Sequence, residues 1–309
     1  MSGTQSSAPA APPTRIGDLL GRAGDHGEKA FSFEFFPPKD AEGEEVLWRS
    51  ISELEPLQPT FVSVTYGAGG TTRDRTLAIT GRIARETSLL PMAHLTCVGH
   101  TTAELERIVT DLRAAGVANV LALRGDPPEG PGAPFTSTPG GVDHASDLVA
   151  LVRRAQPDLC VGVAAFPEGH RDAATLDDDV AVLRAKQDAG AEFAVTEMVL
   201  RASDYLGLVE RAAAAGVTIP IVPGIMPILR LSSMERMVEL SGRDIPEEVR
   251  ARLESRADDP AAVRAEGVAI ATELCEELLQ QGSPGLHFYT LNRSRATREI
   301  WSALALPVG

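Results

Sequence analysis

The stretch AAGVANVLAL, residues 114–123, ends a helical segment at Ala-Gly and enters an apolar run within three residues. DAGAEFAVTEM at 188–198 and AAGVTIPIVPG at 214–224 repeat the pattern. A glycine just past a helix suits the left-handed closing conformation, and the apolar run after it reads as a strand. The three stretches are therefore junctions of a repeated αβ unit, without the strict period of a solenoid.

Working outward from these junctions, eight apolar runs read as strands: FSFEFF from Phe31, FVSVTYG from Phe61, MAHLTC from Met92, NVLALRGD from Asn119, CVGVAAFP from Cys160, FAVTEMV from Phe193, IPIVPGIM from Ile219 and LHFYTL from Leu286. Most are apolar along their whole length, as parallel strands covered on both faces are. The intervening segments read as helices. TTAELERIVTDLRAAG opens with a capping box, Thr101 to Glu104, and stops at Gly116; SDYLGLVERAAAAG runs from Ser203 to Gly216. The longer connection from Gly242 to Gln280 has room for two helices, with Pro246 and Pro260 each suited to a first turn.

Eight strands, each followed by helix, predict an α/β fold, a closed (β/α)8 TIM barrel in a single domain over residues 16–309. A doubly wound open sheet is the alternative. Against it, no GxGxxG follows the first strand, and GAGG at 67–70 is a weak substitute. Residues 1–15, polar and Pro-rich, read as a disordered tail and not as a signal peptide.

Composition narrows the function. A net charge of −14 over 309 residues argues against nucleic acid or an anionic membrane as partner. An anionic small molecule remains possible where a few cations gather. No apolar run reaches membrane-spanning length. Cys97, Cys160 and Cys275 are scattered, with neither a disulfide framework nor zinc spacing, which points to the cytoplasm and to no metal.

Barrels of this kind build their sites at the carboxyl ends of the strands, and the polar residues of these runs collect there. Thr65 and Tyr66 end the second run; His94 and Thr96 mark the third; Arg124 and Asp126 end the fourth. Phe166, Glu168 and His170 follow the fifth, Thr196 and Glu197 end the sixth, and Asn292 and Arg293 follow the eighth. Glu34, Asp126 and Glu197 would meet in one mouth with Arg124 and Arg293. Taken singly, each has an ordinary structural reading, as a helix cap, an ion pair or a satisfied core histidine. Three acids at the ends of three apolar strands are harder to explain by structure alone. Glu34 poses the sharpest question, since a carboxylate among Phe31, Phe33, Phe35 and Phe36 costs several kcal/mol to bury unless it is paired or protonated.

The runs FSFEFFPPK, FVSVTYGAGGTTRDRT, AHLTC, VLALRGDPP, AAFPEGH, PGIMPI and HFYTLNRS together resemble the bacterial 5,10-methylenetetrahydrofolate reductases, over nearly all of the chain from Phe31 to Trp301. The resemblance implies a (β/α)8 barrel holding non-covalent FAD, reduced by NADH or NADPH. The flavin then passes hydride to 5,10-methylenetetrahydrofolate to give 5-methyltetrahydrofolate for methionine synthesis. It also implies a homo-oligomer. Glu34 matches the family's general acid, and its aromatic neighbours are expected to raise its pKa. Asp126 matches an aspartate near flavin and pterin that stabilises a cationic intermediate. Thr65, His94, Arg124, Gly125, Asp126, Ala145, Phe166, His170, Asp179 and Lys186 match cofactor-binding positions, with Arg124 and Lys186 as phosphate cations. Asp126, Glu197 and Arg293 match substrate-binding positions. The chain departs from the family's pattern at Glu197, where the family has Gln followed by aromatics, at Phe166 and at His144, both tyrosine in the family. These departures leave a second reading, a member that binds folate or flavin as a regulatory or partner-dependent subunit without full turnover.

Overall fold

A computed structural model of the chain describes residues 14–66, 73–127, 130, 132–241 and 244–306. Eight strands close into one barrel in sequence order: β1 (Ala30–Phe35), β2 (Phe61–Val64), β3 (Pro91–Thr96), β4 (Asn119–Leu123), β5 (Cys160–Ala165), β6 (Phe193–Met198), β7 (Ile221–Ile225) and β8 (Gly285–Tyr289). Every neighbouring pair is parallel, and β1 closes the ring against β8 with Ser32 beside His287 and Glu34 beside Tyr289. The expected strands are all present, and each starts within two residues of its expected position. The helices around them are α2 (Ala41–Leu54), α3 (Arg73–Glu86), α4 (Thr102–Ala114), α5 (Ala145–Ala155), α6 (Leu176–Asp188), α7 (Ala202–Ala214), α8 (Leu231–Ser241), α9 (Glu247–Glu254), α10 (Pro260–Gln280) and α11 (Ser294–Ala303). No helix among the described residues is long and apolar enough to cross a membrane.

The junctions behave as their residues dictate. Gly116, Gly190 and Gly216 have φ of 86°, 111° and 80°, so the chain leaves α4, α6 and α7 through a left-handed residue and turns at once into the next strand. The Thr101–Glu104 capping box is formed at the start of α4. In the long connection before β8, Pro260 is the first residue of α10, whereas Pro246 occupies the capping position just ahead of α9.

Alternation along each strand sorts side chains into two cores. Phe31, Phe33 and Phe35 face outward and pack beneath the helices, with Trp301 of α11 at 5.1 Å from Phe31 and 5.6 Å from Phe33. Phe61, Met92, Leu121, Cys160, Phe193 and Val222 fill the amino-terminal half of the barrel interior. The sequence reading missed α1 (Ile16–His26), whose Ile16 and Leu20 plug that end. Its first turn is held by Ile16 N–H to Asn119 Oδ1 (2.8 Å) and Gly17 N–H to Cys160 Sγ (3.2 Å). Of the tail expected over residues 1–15, positions 1–13 lie outside the described residues, while Arg15 is placed and pairs with Glu192 at 2.6 Å.

With one end filled and plugged, the carboxyl mouth is where a site can open. The packing beneath it is tight: a Cβ on Gly162 would lie 2.4 Å from the Phe193 ring. Gly162→Ala is therefore expected to lower unfolding stability by about 1–3 kcal/mol in urea titrations. An unchanged midpoint would mean that Phe193 moves aside freely.

Candidate active site

Glu34 points into the barrel, away from the outward-facing phenylalanines of its own strand. Its Oε2 accepts a hydrogen bond from Ser63 Oγ on β2 (3.3 Å) and lies 3.2 Å from His287 Nε2 on β8 and 3.3 Å from His94 Nε2 on β3. His287 is held on its other side, with Nδ1 2.7 Å from Ser32 Oγ. Phe61 stacks on the His287 ring at 5.9 Å, and Tyr289 meets it edge-on at 5.3 Å. All three members of the acid–imidazole group are buried.

This geometry overturns the expectation that aromatic neighbours raise the Glu34 pKa. Burial does push it up. The charges and hydrogen bonds of His94 and His287 push harder in the opposite sense and bring the carboxyl from 4.5 down to about 2. What the sequence reading lacked was the two imidazoles, which reach Glu34 from β3 and β8, far away in the chain.

Next to this group, β6 breaks step with β7 between Val195 and Met198. Within the break, Thr196 O accepts from Tyr289 Oη (2.7 Å) and Thr196 Oγ1 accepts from Gly224 N–H (2.9 Å). Gly224 gives the Tyr289 ring its space, since a Cβ there would lie 2.6 Å from that ring. Glu197 is half-buried at the irregularity. Burial, then the charges of Glu34 and Glu197, push the Tyr289 hydroxyl well above its ordinary pKa, so it stays protonated between two carboxylates.

A second group lies at the ends of β4 and β5. Arg124 Nη2 donates to Asp172 Oδ2 (2.9 Å) and stands 5.2 Å over the Phe135 ring. Lys186 on α6 is buried, donates to Ala164 O (2.9 Å) and lies 5.6 Å from the Phe166 ring. Burial, with Arg124 adding to it and Asp179 opposing, pushes the Lys186 amine down to about 8. Phe166 and His170 meet edge to face at 4.8 Å. Between the groups, Gly125 at φ 84° lies so close to β3 that a Cβ would be 2.8 Å from Thr96 Cβ. Thr96 Oγ1 is buried with no hydrogen-bond partner among the described residues.

Other expected site residues sit on the rim. Asp126 is exposed two positions beyond Arg124, Ala145 opens α5, and Thr65 O accepts from Thr76 Oγ1 (2.8 Å). Arg293 is exposed immediately before α11. The adjoining turn is locked, since Asn292 accepts from Phe36 N–H and donates to Phe36 O, both at 2.8 Å. The GAGG stretch lies outside the described residues. Sequence reasoning did not place Ser32, Ser63, His287 or Tyr289 in the site. The signal was there: Ser32–Glu34, His94–Thr96 and His287–Tyr289 are polar residues two apart, on one face of apolar strands.

The mouth thus defines a (β/α)8 barrel with a buried acid–imidazole group and, beside it, a pair of cations. Residues 19–305 match the family model described as methylenetetrahydrofolate reductase, and the chain belongs to that family. It is 37% identical over 283 residues to the 5,10-methylenetetrahydrofolate reductase of Escherichia coli, covering 92% of this chain and 93% of that one. It is 38% identical over 302 residues to methylenetetrahydrofolate reductase (NADH) 1 of Arabidopsis thaliana, covering 94% of this chain but 51% of that protein. The chain therefore spans about half the length of its plant relatives. Among solved structures, a Clostridium thermocellum protein described as binding two copies of 5-methyl-5,6,7,8-tetrahydrofolic acid shares the fold, with a TM-score of 0.64 at 15% identity over 93% of this chain and 98% of that one.

The Glu34 partnership gives a pH signature. A carboxylate whose pKa is depressed on folding adds stability above its unfolded value, and that stability is lost as pH falls from 4.5 to about 2. The stability advantage of the wild type over Glu34→Gln should shrink across this window by up to ~3 kcal/mol. Denaturant titrations of both proteins at stepped pH measure it, and a constant difference would show that the imidazoles do not hold the charge.

Proposed function

We propose that this chain reduces 5,10-methylenetetrahydrofolate to 5-methyltetrahydrofolate, with NADH or NADPH as electron source and non-covalent FAD as cofactor. The observation that carries the reading is the Glu34–His287–His94 group, a carboxylate buried against two imidazoles at the floor of the barrel mouth. Family membership narrows its substrate to a folate.

The residues present fit a flavin dinucleotide. Arg124 and Lys186 offer two cations for its diphosphate, the unpartnered Thr96 hydroxyl sits beneath the close-packed Gly125 turn, and Phe166 and His170 offer flat ring surfaces. Thr65, His94, Asp126, Ala145 and Asp179 would complete the site. When bound, FAD supplies the hydride relay between nicotinamide and the folate methylene carbon.

The protein's own part is proton handling and charge. The five-membered ring of the substrate opens only when N10 leaves as a protonated amine, which generates a positive iminium at N5. Ser32 fixes the His287 ring so that Nε2 addresses Glu34. Because Glu34 itself is ionised, the proton for N10 would leave an imidazolium Nε2–H and cross Glu34, leaving that imidazole neutral and Glu34 a carboxylate again. The group then retains a carboxylate as positive charge appears on the substrate, so donor and counter-charge are one unit. Asp126 at the rim adds negative charge for the same cation. Arg293 suits the carboxylates of the folate tail, and Glu197, close enough to Tyr289 for its charge to be felt there, would meet the pterin. The methyl product would serve methionine synthesis. Three buried free thiols, with Cys97 and Cys160 pushed up to about 12 chiefly by burial, suit a reducing cytoplasm.

Stopped-flow measurement of the two half-reactions tests the assignment. Hydride passage from nicotinamide to flavin needs no ring opening, so Glu34→Gln should leave flavin reduction near normal. Folate reduction should fall by about 10²–10⁴-fold. Equal damage to both half-reactions would remove Glu34 from the chemistry.

Lys186 makes cofactor binding pH-dependent. A diphosphate favours the ammonium form, and in the free protein that form is lost above about pH 8. FAD affinity should be flat below that pH and fall above it by up to about tenfold per unit, as binding must take up a proton. Flavin fluorescence titrations across this range check it, and Lys186→Met should abolish the slope.

A further inference from the structure

We propose that Asp172 is the resident counter-ion of Arg124 and sets the affinity of the cofactor's diphosphate end, which must displace it. This rests on the reading of Arg124 and Lys186 as the phosphate cations.

In the cofactor-free chain the two cations assigned to that end each face an acid, and Arg171, next to Asp172, adds a further positive charge. Arg124 donates to Asp172 at 2.9 Å. His170 Nδ1 accepts the Asp172 N–H at 3.1 Å, so that nitrogen carries no proton; burial first, then Arg124, lowers the His170 pKa and keeps the ring neutral. Lys186 sees the charge of Asp179 and is itself brought down by burial. An arriving diphosphate therefore meets an Arg124 already engaged, and one of the acids has to give way.

The two acids differ in their freedom to do so. Asp179 is buried at the start of α6. The Asp172 side chain is 55% exposed in the loop after β5, with its backbone pinned to His170 and its carboxylate free to rotate into water. Arg124, 28% exposed above the Phe135 ring, can keep its stacking while it changes partner. An exposed pair of this kind is worth little, so it holds the guanidinium in place without locking it. Asp172 then weakens diphosphate binding twice, by occupying Arg124 and by repelling a second anion.

Asp172→Asn keeps the shape and an oxygen for Arg124 but removes the charge. In flavin fluorescence titrations of the flavin-freed chain, the variant should bind FAD roughly three- to tenfold more tightly. ADP, which carries the diphosphate without the flavin, should compete more strongly by a similar factor. Riboflavin, which lacks phosphate, should bind as it does to the wild type. Equal or weaker FAD binding would overturn the proposal and make Asp172 an orienting partner of Arg124. A gain shared by riboflavin would also overturn it, since the effect would not pass through phosphate. Arg124→Ala in the same titration separates the two levels. If it weakens FAD binding while Asp172→Asn gives no gain, only the counter-ion role fails. If it binds FAD like the wild type, or if the unaltered chain binds no FAD, the phosphate assignment fails and the counter-ion role with it.

Discussion

Glu34 Oε2 is reached from three other strands of the barrel, by Ser63 on β2, His94 on β3 and His287 on β8. A carboxylate removed from water on a closed sheet has no alternative shell, so the Ser63 donor and the two imidazoles must be in place together. That requirement constrains the rest. The register of β1 against β8 places Ser32 beside His287 and Glu34 beside Tyr289. A slip of one residue would turn Glu34 toward the helices and Phe33 into the mouth. The outward phenylalanines and Trp301 fix that register from the other side. Outer core and inner polar group thus depend on the same alternation.

The mouth is asymmetric for a related reason. On the β1–β3 side the strands pair regularly and present the acid–imidazole group. On the β6–β7 side the ladder slips, and Tyr289 reaches across from β8 to satisfy Thr196 O in its place. Such irregularities re-aim side chains at strand ends. Here the one affected is Glu197. Tyr289, which feels the charges of both Glu34 and Glu197, stays protonated and donates to Thr196 O.

How far the sequence could be read follows from which interactions are local. Helix–strand junctions are local: Ala-Gly followed by an apolar run names the unit, and eight such runs name the barrel. The capping box at Thr101 was legible for the same reason. α1 was not, because its Ile16 and Leu20 acquire their apolar face only by docking on Asn119 and Cys160, far away in the chain. The site was legible as a set of positions and not as a set of charges. Glu34 and His94 were visible as residues of one mouth. That two imidazoles would outweigh an apolar setting depends on strands 60 and 253 residues apart in sequence.

The same distinction explains the cation pair. Arg124 stood out at a strand end, while Lys186 was reached only through the family resemblance, as a phosphate cation in a chain of net charge −14. What a sequence does not show is that a strongly acidic chain must also keep such cations quiet before the ligand arrives. A bare guanidinium beside a buried ammonium would repel it, and Lys186 already bears part of that cost in its lowered pKa. Asp172 relieves the repulsion from an exposed loop, where a carboxylate can leave again at little expense. Placing Asp179 inside and Asp172 outside gives the buried ammonium a permanent acid and the guanidinium a movable one.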